Sequence, residues 1–282
     1  MRRVRNTAFS ALLCALTALT VLTLAFVIYF IVQEALPTFE EVPLREFLFG
    51  RRWMPIDYTG AGASFGIFNF IMGTLSVSLI AMLLASLVGL GAAVFLSCAA
   101  GTRTRAVLYP LIDLLAGIPS IVYGLFGMLF FVNTLKWGFS VLAGAFTLSI
   151  MILPLIMRTA EEALKSVPDS YREASFGLGA GKLRTIFTIV LPSAVPGILA
   201  GVILAIGRVI GETAALIYTA GTVAEVPKNL MGSGRTLALH MYVLSGEGLH
   251  MNQASATAVV ILAFVLVINF LSGAVAKRIA KG

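Results

Sequence analysis

Two residues of opposite charge stand inside a long apolar run. Arg208 and Glu212 occur four residues apart in Gly207-Arg208-Val209-Ile210-Gly211-Glu212-Thr213-Ala214. A guanidinium is planar, always charged and carries five N–H donors, which suits it to an oxyanion such as phosphate. On a continuous helix the i,i+4 spacing puts both groups on one face, where each partly neutralises the other. A helix entered near residue 194 carries Arg208 about 14 residues, roughly 20 Å, from its start. That is too deep for snorkelling, and a lone charge at the bilayer centre costs at least about 2.5–3.5 kcal/mol. The face must therefore meet protein or water. One reading is a structural ion pair that locks the helix to its neighbours. The other puts Arg208 on a translocation path, with Glu212 holding it and competing with the anion so that the cargo is released.

Other polar groups in apolar surroundings are less telling. Asp113 falls near one end of an apolar run, where an interhelical hydrogen bond is the simpler expectation. Pro119, in Ala116-Gly117-Ile118-Pro119-Ser120, should kink or break its helix, which a transporter tolerates where backbone lines a cavity. His240 and His250 lie ten apart, and Cys14 and Cys98 are far apart. None of these spacings is that of a metal site or a disulfide framework, and the cysteines read as small apolar residues.

One polar segment has a helix signature of its own. Residues 161–192 read EEALKSVPDSYREASFGLGAGKLRTIFTIVLP. Ser170 followed by Glu173 fits a capping box, Pro168 precedes a helix start, and Gly177 and Gly179 permit a sharp exit. A helix of about two turns with mixed charge is not stable alone. It either packs on its own domain as an ordinary capped loop helix or docks on a cytoplasmic partner.

The elements that hold these residues follow from composition. Of 282 residues 59% are apolar and 12% charged, against roughly 25% charged in soluble domains. The excess apolar surface requires lipid, and a spanning helix needs about 20 apolar residues. Six spans are expected, near 9–32, 67–97, 106–132, 139–158, 194–220 and 254–276. The first resembles a secretory signal in charge pattern, but it is longer than an h-region and Gln33–Pro37 offers no cleavage site, so a retained span is expected. Residues 33–66 and 221–253 are expected as long extramembrane loops, with Trp53 and Tyr58 at a membrane–water boundary. The second span is rich in Gly, Ala and Ser, which let helices approach closely.

Lysines and arginines orient the spans. Thirteen, from Arg2 to Lys281, fall on the side of the two termini and of segment 159–192, and six fall on the other. Both termini are therefore expected in the cytoplasm, and the two long loops outside. The net charge of +7 clusters at span ends rather than in a basic patch, which argues against nucleic acid. No linker divides the chain, so residues 1–282 are expected to form one transmembrane domain.

Motifs then add a resemblance. Glu173-Ala174-Ser175, three residues, Gly179, nine residues and Ile189-Val190-Leu191-Pro192 resemble the EAA motif of permease subunits of ATP-binding-cassette importers. Ser175 stands where alanine is commonest. The resemblance implies an all-α type I importer permease of six transmembrane helices, with a cytoplasmic coupling helix between helices 4 and 5. It assigns Glu173, Ala174 and Gly179 to docking on the ATPase.

Ala116–Gly127, Leu191–Leu199 and Gly207–Ala214 are similar to segments of phosphate-specific importer permeases, so the likeness spans about residues 66–220. Gly211-Glu212-Thr213-Ala214 and Leu239-His240-Met241-Tyr242 are closer to the A-type of that family's two permeases, although Ala215 stands where A-type sequences often have proline. The resemblance implies partners: ATP-binding-cassette ATPase subunits, a second homologous permease, an extracytoplasmic phosphate-binding protein and membrane lipid. No G-x-x-x-x-G-K-[ST] run occurs, so ATP hydrolysis is expected of the partner, and no cofactor or metal is expected here. Competing expectations are a permease for sulfate or molybdate, and an ATP-independent secondary transporter or channel that uses Arg208 and Glu212 in ion coupling.

Overall fold

The computed structural model describes residues 2–56 and 62–279, with side chains for 9–56 and 62–276. Tyr58 and Lys281 lie outside the described residues, as do the side chains of Arg2, Arg3, Arg5, Lys277 and Arg278. The chain is almost wholly helical. Among the described residues five helices are long and apolar enough to span a bilayer, and a sixth span is counted if one sharply bent pair crosses as a unit.

Helix α1 covers Arg2–Glu41 and passes the expected end of the first span. Gln33 and Pro37 are exposed while Ala35 and Thr38 are buried, an amphipathic turn that hydropathy alone reads as loop. Pro43 stops it, and α2 follows at Leu44–Phe49. The two-residue strands β1 (Trp53–Met54) and β2 (Ser64–Phe65) pair antiparallel, Trp53 opposite Phe65. Trp53 is half-buried and meets Phe65, Phe70 and His240 edge-on.

Helix α3, Phe68–Val94, ends in a wide π turn, Phe95–Ala99. Helix α4, Thr102–Gly117, and α5, Ser120–Gly127, meet at an elbow, and a π turn, Met128–Thr134, extends α5. Ile118 and Pro119 are extended there, and the two arms bend by 95°. Pro119 breaks the helix as its missing N–H demands. The expected span at 106–132 is thus two half-helices. The phenol of Tyr123 donates to the Leu115 carbonyl at 2.8 Å, a second bond beside that from the Ile118 N–H.

Helix α6, Val141–Lys165, is capped by Ser140, whose hydroxyl accepts from the Ala143 N–H. It is the central helix: 67% of its apolar window is buried, against 0% for α1. It outruns the expected boundary at 158 because Ala160, Ala163 and Leu164 pack on Val190, Ala194 and Ile198. Close approach supplies the fit on both sides. A Cβ on Gly89 would lie 2.9 Å from Ile156, and one on Gly201 would lie 2.2 Å from the Thr159 hydroxyl. Such small residues replace the missing hydrophobic drive in lipid.

Helix α7, Asp169–Gly177, precedes α8, Lys182–Thr185, a π turn, Ile186–Val190, and α9, Leu191–Ile210. These last three form one continuous rod, Lys182–Ile210, rather than a span at 194–220. Pro192 sits within it directly after the wide turn, where its absent N–H leaves no broken ladder. After α10, Ala214–Ile217, comes α11, Leu237–Glu247, capped by Thr236 and closed by left-handed Gly248. The expected outer loop 221–253 therefore holds a buried helix: Leu237, Leu239, His240 and Leu244 are all inside. Helix α12, Met251–Ile279, completes the fold against α9, α11 and α1.

Candidate functional site

The helix of Arg208 ends at Ile210, where Gly211 caps it. Glu212 therefore does not lie one turn beyond Arg208 on a shared face. Its Oε1 instead accepts the Ala215 N–H at 3.1 Å, satisfying an open donor of α10. Among the described residues no ion pair joins Arg208 to Glu212. The expected pairing is overturned because Gly211 breaks the helix between them. Arg208 is exposed, and its place in the last turn favours a cation.

Arg208 faces a different charged neighbour. With Arg158 of α6 it lines a cavity of about 140 Å³. The cavity is walled by Leu115, Ala116 and Ile118 at the elbow, Tyr123 of α5, and Met151, Pro154 and Leu155 of α6. At about 30 Å³ per water, it holds four or five waters or one small anion. Two arginines are thus among its lining residues, together with Tyr123.

Arg158 belongs to a network that clamps α4 to α6. Its Nε donates to Asp113 Oδ1 at 3.0 Å, and its Nη2 donates to the same oxygen. Its Nη1 reaches Glu161 Oε2 at 3.4 Å. Glu161 is 2% exposed and also binds Lys165 Nζ and the Tyr109 hydroxyl. Both cations stack over the Tyr109 ring, at 4.9 and 5.1 Å. Asp113 thus makes the interhelical bond expected of it. Arg158, Glu161 and Lys165 were missed as a set, although their i,i+3 and i,i+4 spacing was the available signal.

The second candidate surface is α7. Its N-cap is Pro168 and no side chain caps it, so the Ser170–Glu173 capping box does not form. The helix starts two residues early, at Asp169, which pairs instead with Arg172 at 3.2 Å. Glu173, Ala174 and Gly179 are exposed, and Gly179 takes φ +83, a turn that favours glycine. Tyr171, Phe176 and Leu178 are exposed too, Leu178 by 90%. A groove of about 510 Å³ runs from Tyr171 and Ala174 to Arg184 and Ile189.

Two bonds fix α7 below the bundle. Arg172 Nη2 donates to the Leu164 carbonyl at the end of α6, at 3.1 Å. Buried Ser175 bonds the Thr185 hydroxyl of α8 at 2.9 Å.

At the opposite end, His240 is fully buried. It stacks on Phe70 at 3.8 Å, and its Nδ1 lies 3.2 Å from Arg235 Nη1. Since arginine can only donate, Nδ1 is the acceptor and the ring is neutral. Burial, with Arg235 second, pushes its pKa down to about 2. Among the described residues no three His, Cys, Asp or Glu side chains converge as a metal site would require.

This architecture, a lipid-embedded helical bundle with a basic cavity and a detached short helix, defines a membrane permease. The chain belongs to the family of binding-protein-dependent transport system inner membrane components, whose model matches residues 85–281. It is 35% identical over 198 residues to a probable ABC transporter permease protein, YqgI, of Bacillus subtilis, covering 65% of this chain and 67% of that one. It is 37% identical over 213 residues to the phosphate transport system permease protein PstA 2 of Mycobacterium bovis, covering 76% and 66%. The fold is that of type I ABC importer permeases. It matches a bacterial alginate ABC transporter complex at TM-score 0.68 and 17% identity, over 96% of this chain and 95% of that one. It matches the MetNI methionine ABC transporter at 0.63 and 20%, over 76% and 95%.

Proposed function

We propose that this permease forms part of the path for inorganic phosphate into the cytoplasm, driven by ATP hydrolysed on partner subunits. The observation that carries the reading is the cavity lined by both Arg158 and Arg208. Paired guanidiniums suit a tetrahedral oxyanion, and relatives named as phosphate permeases favour phosphate over sulfate or molybdate. The complex is completed by two ATP-binding-cassette ATPase subunits, a second homologous permease and an extracytoplasmic phosphate-binding protein. Both termini lie in the cytoplasm, on the side that holds α7.

Coupling follows from the two bonds of α7. The ATPase takes hold of Glu173, Ala174 and Gly179 on the exposed face. Displacement of α7 is passed to α6 through Arg172 and to the α8–α9 rod through Ser175. Arg158 rides on α6 and Arg208 at the far end of the rod, so both sides of the cavity shift together. The test is phosphate uptake by reconstituted complexes carrying Arg208→Gln. Uptake should fall at least about tenfold, the effect of losing a charge-assisted contact, while the complex still assembles. Wild-type uptake by an assembled variant would overturn the reading, and uptake without any ATPase would favour a secondary transporter.

A further inference from the structure

Arg158, one of the two arginines lining the cavity, is bonded to a carboxylate from another helix. Two donors of Arg158 converge on one oxygen of Asp113, and a third reaches Glu161. Arg158 is thus neutralised twice, and among the described residues Arg208 has no ionic partner. The two carboxylates on Arg158 differ in how firmly they are held. The Glu161 side chain is 3% exposed and has three partners. The Asp113 side chain is 63% exposed, and among the described residues Arg158 is its one bonded partner. A carboxylate and a phosphate present the same feature to a guanidinium: adjacent oxygens sharing negative charge. An exposed, singly held carboxylate is the one an incoming oxyanion can replace.

We propose that Asp113 is a built-in competitor that sets the affinity of this cavity for an oxyanion. The anion meets unpaired Arg208 first and then displaces Asp113 from Arg158. The return of Asp113 displaces the anion in turn, so binding stays weak enough for passage. The proposal rests on the reading of Arg208 as part of the anion path. It moves the competing role expected of Glu212 to a carboxylate on another helix. Displacement also removes the two Arg158–Asp113 bonds that hold α4 to α6, leaving those of Tyr109 to Glu161 and Arg158.

The test uses the purified complex in nanodiscs, without binding protein, and radiolabelled inorganic phosphate. Asp113→Asn should bind phosphate about tenfold more tightly, with lower uptake per ATP hydrolysed because release slows. A purely structural tie would give no gain in affinity. If Asp113→Asn binds as wild type while Arg208→Gln loses binding, the competitor is overturned and the anion path stands. If Arg208→Gln also binds and transports as wild type, the path reading falls with it. On the wild-type complex, phosphate should speed hydrogen exchange of the amides in 102–117. An unchanged rate overturns the proposal even where Asp113→Asn does not assemble.

Discussion

Ser175 and Thr185 are joined by a buried hydroxyl–hydroxyl hydrogen bond of 2.9 Å. Thr185 also bonds the Gly181 carbonyl at 3.2 Å, so its proton is committed there and Ser175 is the donor between the two. The residue that departs from the alanine usual in the EAA motif is therefore the one that fastens α7 to the α8–α9 rod. Ser175→Ala should cost at most about 1 kcal/mol, the net worth of one such bond. Thr185→Val should cost more, about 1–3 kcal/mol, because it strands the Ser175 hydroxyl in a dry site. The ratio of phosphate transported to ATP hydrolysed should fall further in Thr185→Val than in Ser175→Ala, and an unchanged ratio in both would remove this bond from the coupling route.

Arg208→Lys separates charge from shape. Lysine keeps the charge but loses the planar fork. Uptake should recover only part of what Arg208→Gln loses, while binding of chloride, which needs no fork, changes little. Uptake equal to wild type in the lysine variant would show that charge alone suffices.

Glu161 is the buried hub between Arg158, Lys165 and Tyr109. Glu161→Gln leaves two cations facing a neutral amide, and removing one partner of a buried charge set is destabilising by about 3–5 kcal/mol at most. The two cations are partly exposed, so about 2 kcal/mol is the reasonable figure. Thermal unfolding of the purified complex should show a lower midpoint, and Glu161→Asp, which keeps the charge, should restore part of it.

The buried His240 predicts a pH dependence. Its folded pKa is about 2, below the ordinary value near 6.5. The unfolded chain therefore binds a proton that the folded chain refuses at any pH between the two. Stability is full above about 6.5 and falls as pH drops, approaching about 1.4 kcal/mol per unit well below it. The titratable side chain facing the ring is Arg235, which stays charged throughout. His240→Gln should flatten the acid limb of a stability–pH curve measured between pH 4 and 7, and an unchanged limb would assign it to other groups.

The features that depend on covalent geometry were legible in the sequence. Pro119 had to break its helix and it does, and Gly179 was placed at a turn that its positive φ requires. Asp113 was rightly given an interhelical partner. What the sequence concealed was where helices end. Gly211 looked like one more small residue in a span, yet it ends α9 and sends Glu212 to cap α10 instead of pairing with Arg208. Asp169 outcompeted Ser170 for the start of α7 because the chain after Pro168 is already helical. Residues 237–247 are uncharged but for Glu247, yet they sat among glycines and polar residues that suggested a loop. Their burial comes from α3 and α12, which no local window contains. That Arg158 and Arg208 line one cavity is likewise tertiary, since α7 and most of the α8–α9 rod lie between them in sequence.

The turn of Glu212 toward α10 has a bioenergetic consequence. It leaves Arg208 with its charge uncompensated at the cavity. A univalent cation passing within about 6 Å of that guanidinium meets roughly 3 kcal/mol of repulsion at an effective dielectric near 20. That slows its crossing about a hundredfold. Fixed positive charges serve elsewhere as barriers to protons and metal cations. On the proposed anion path, the arginine that would receive an anion would thus also act as an electrical seal against cations at the cavity.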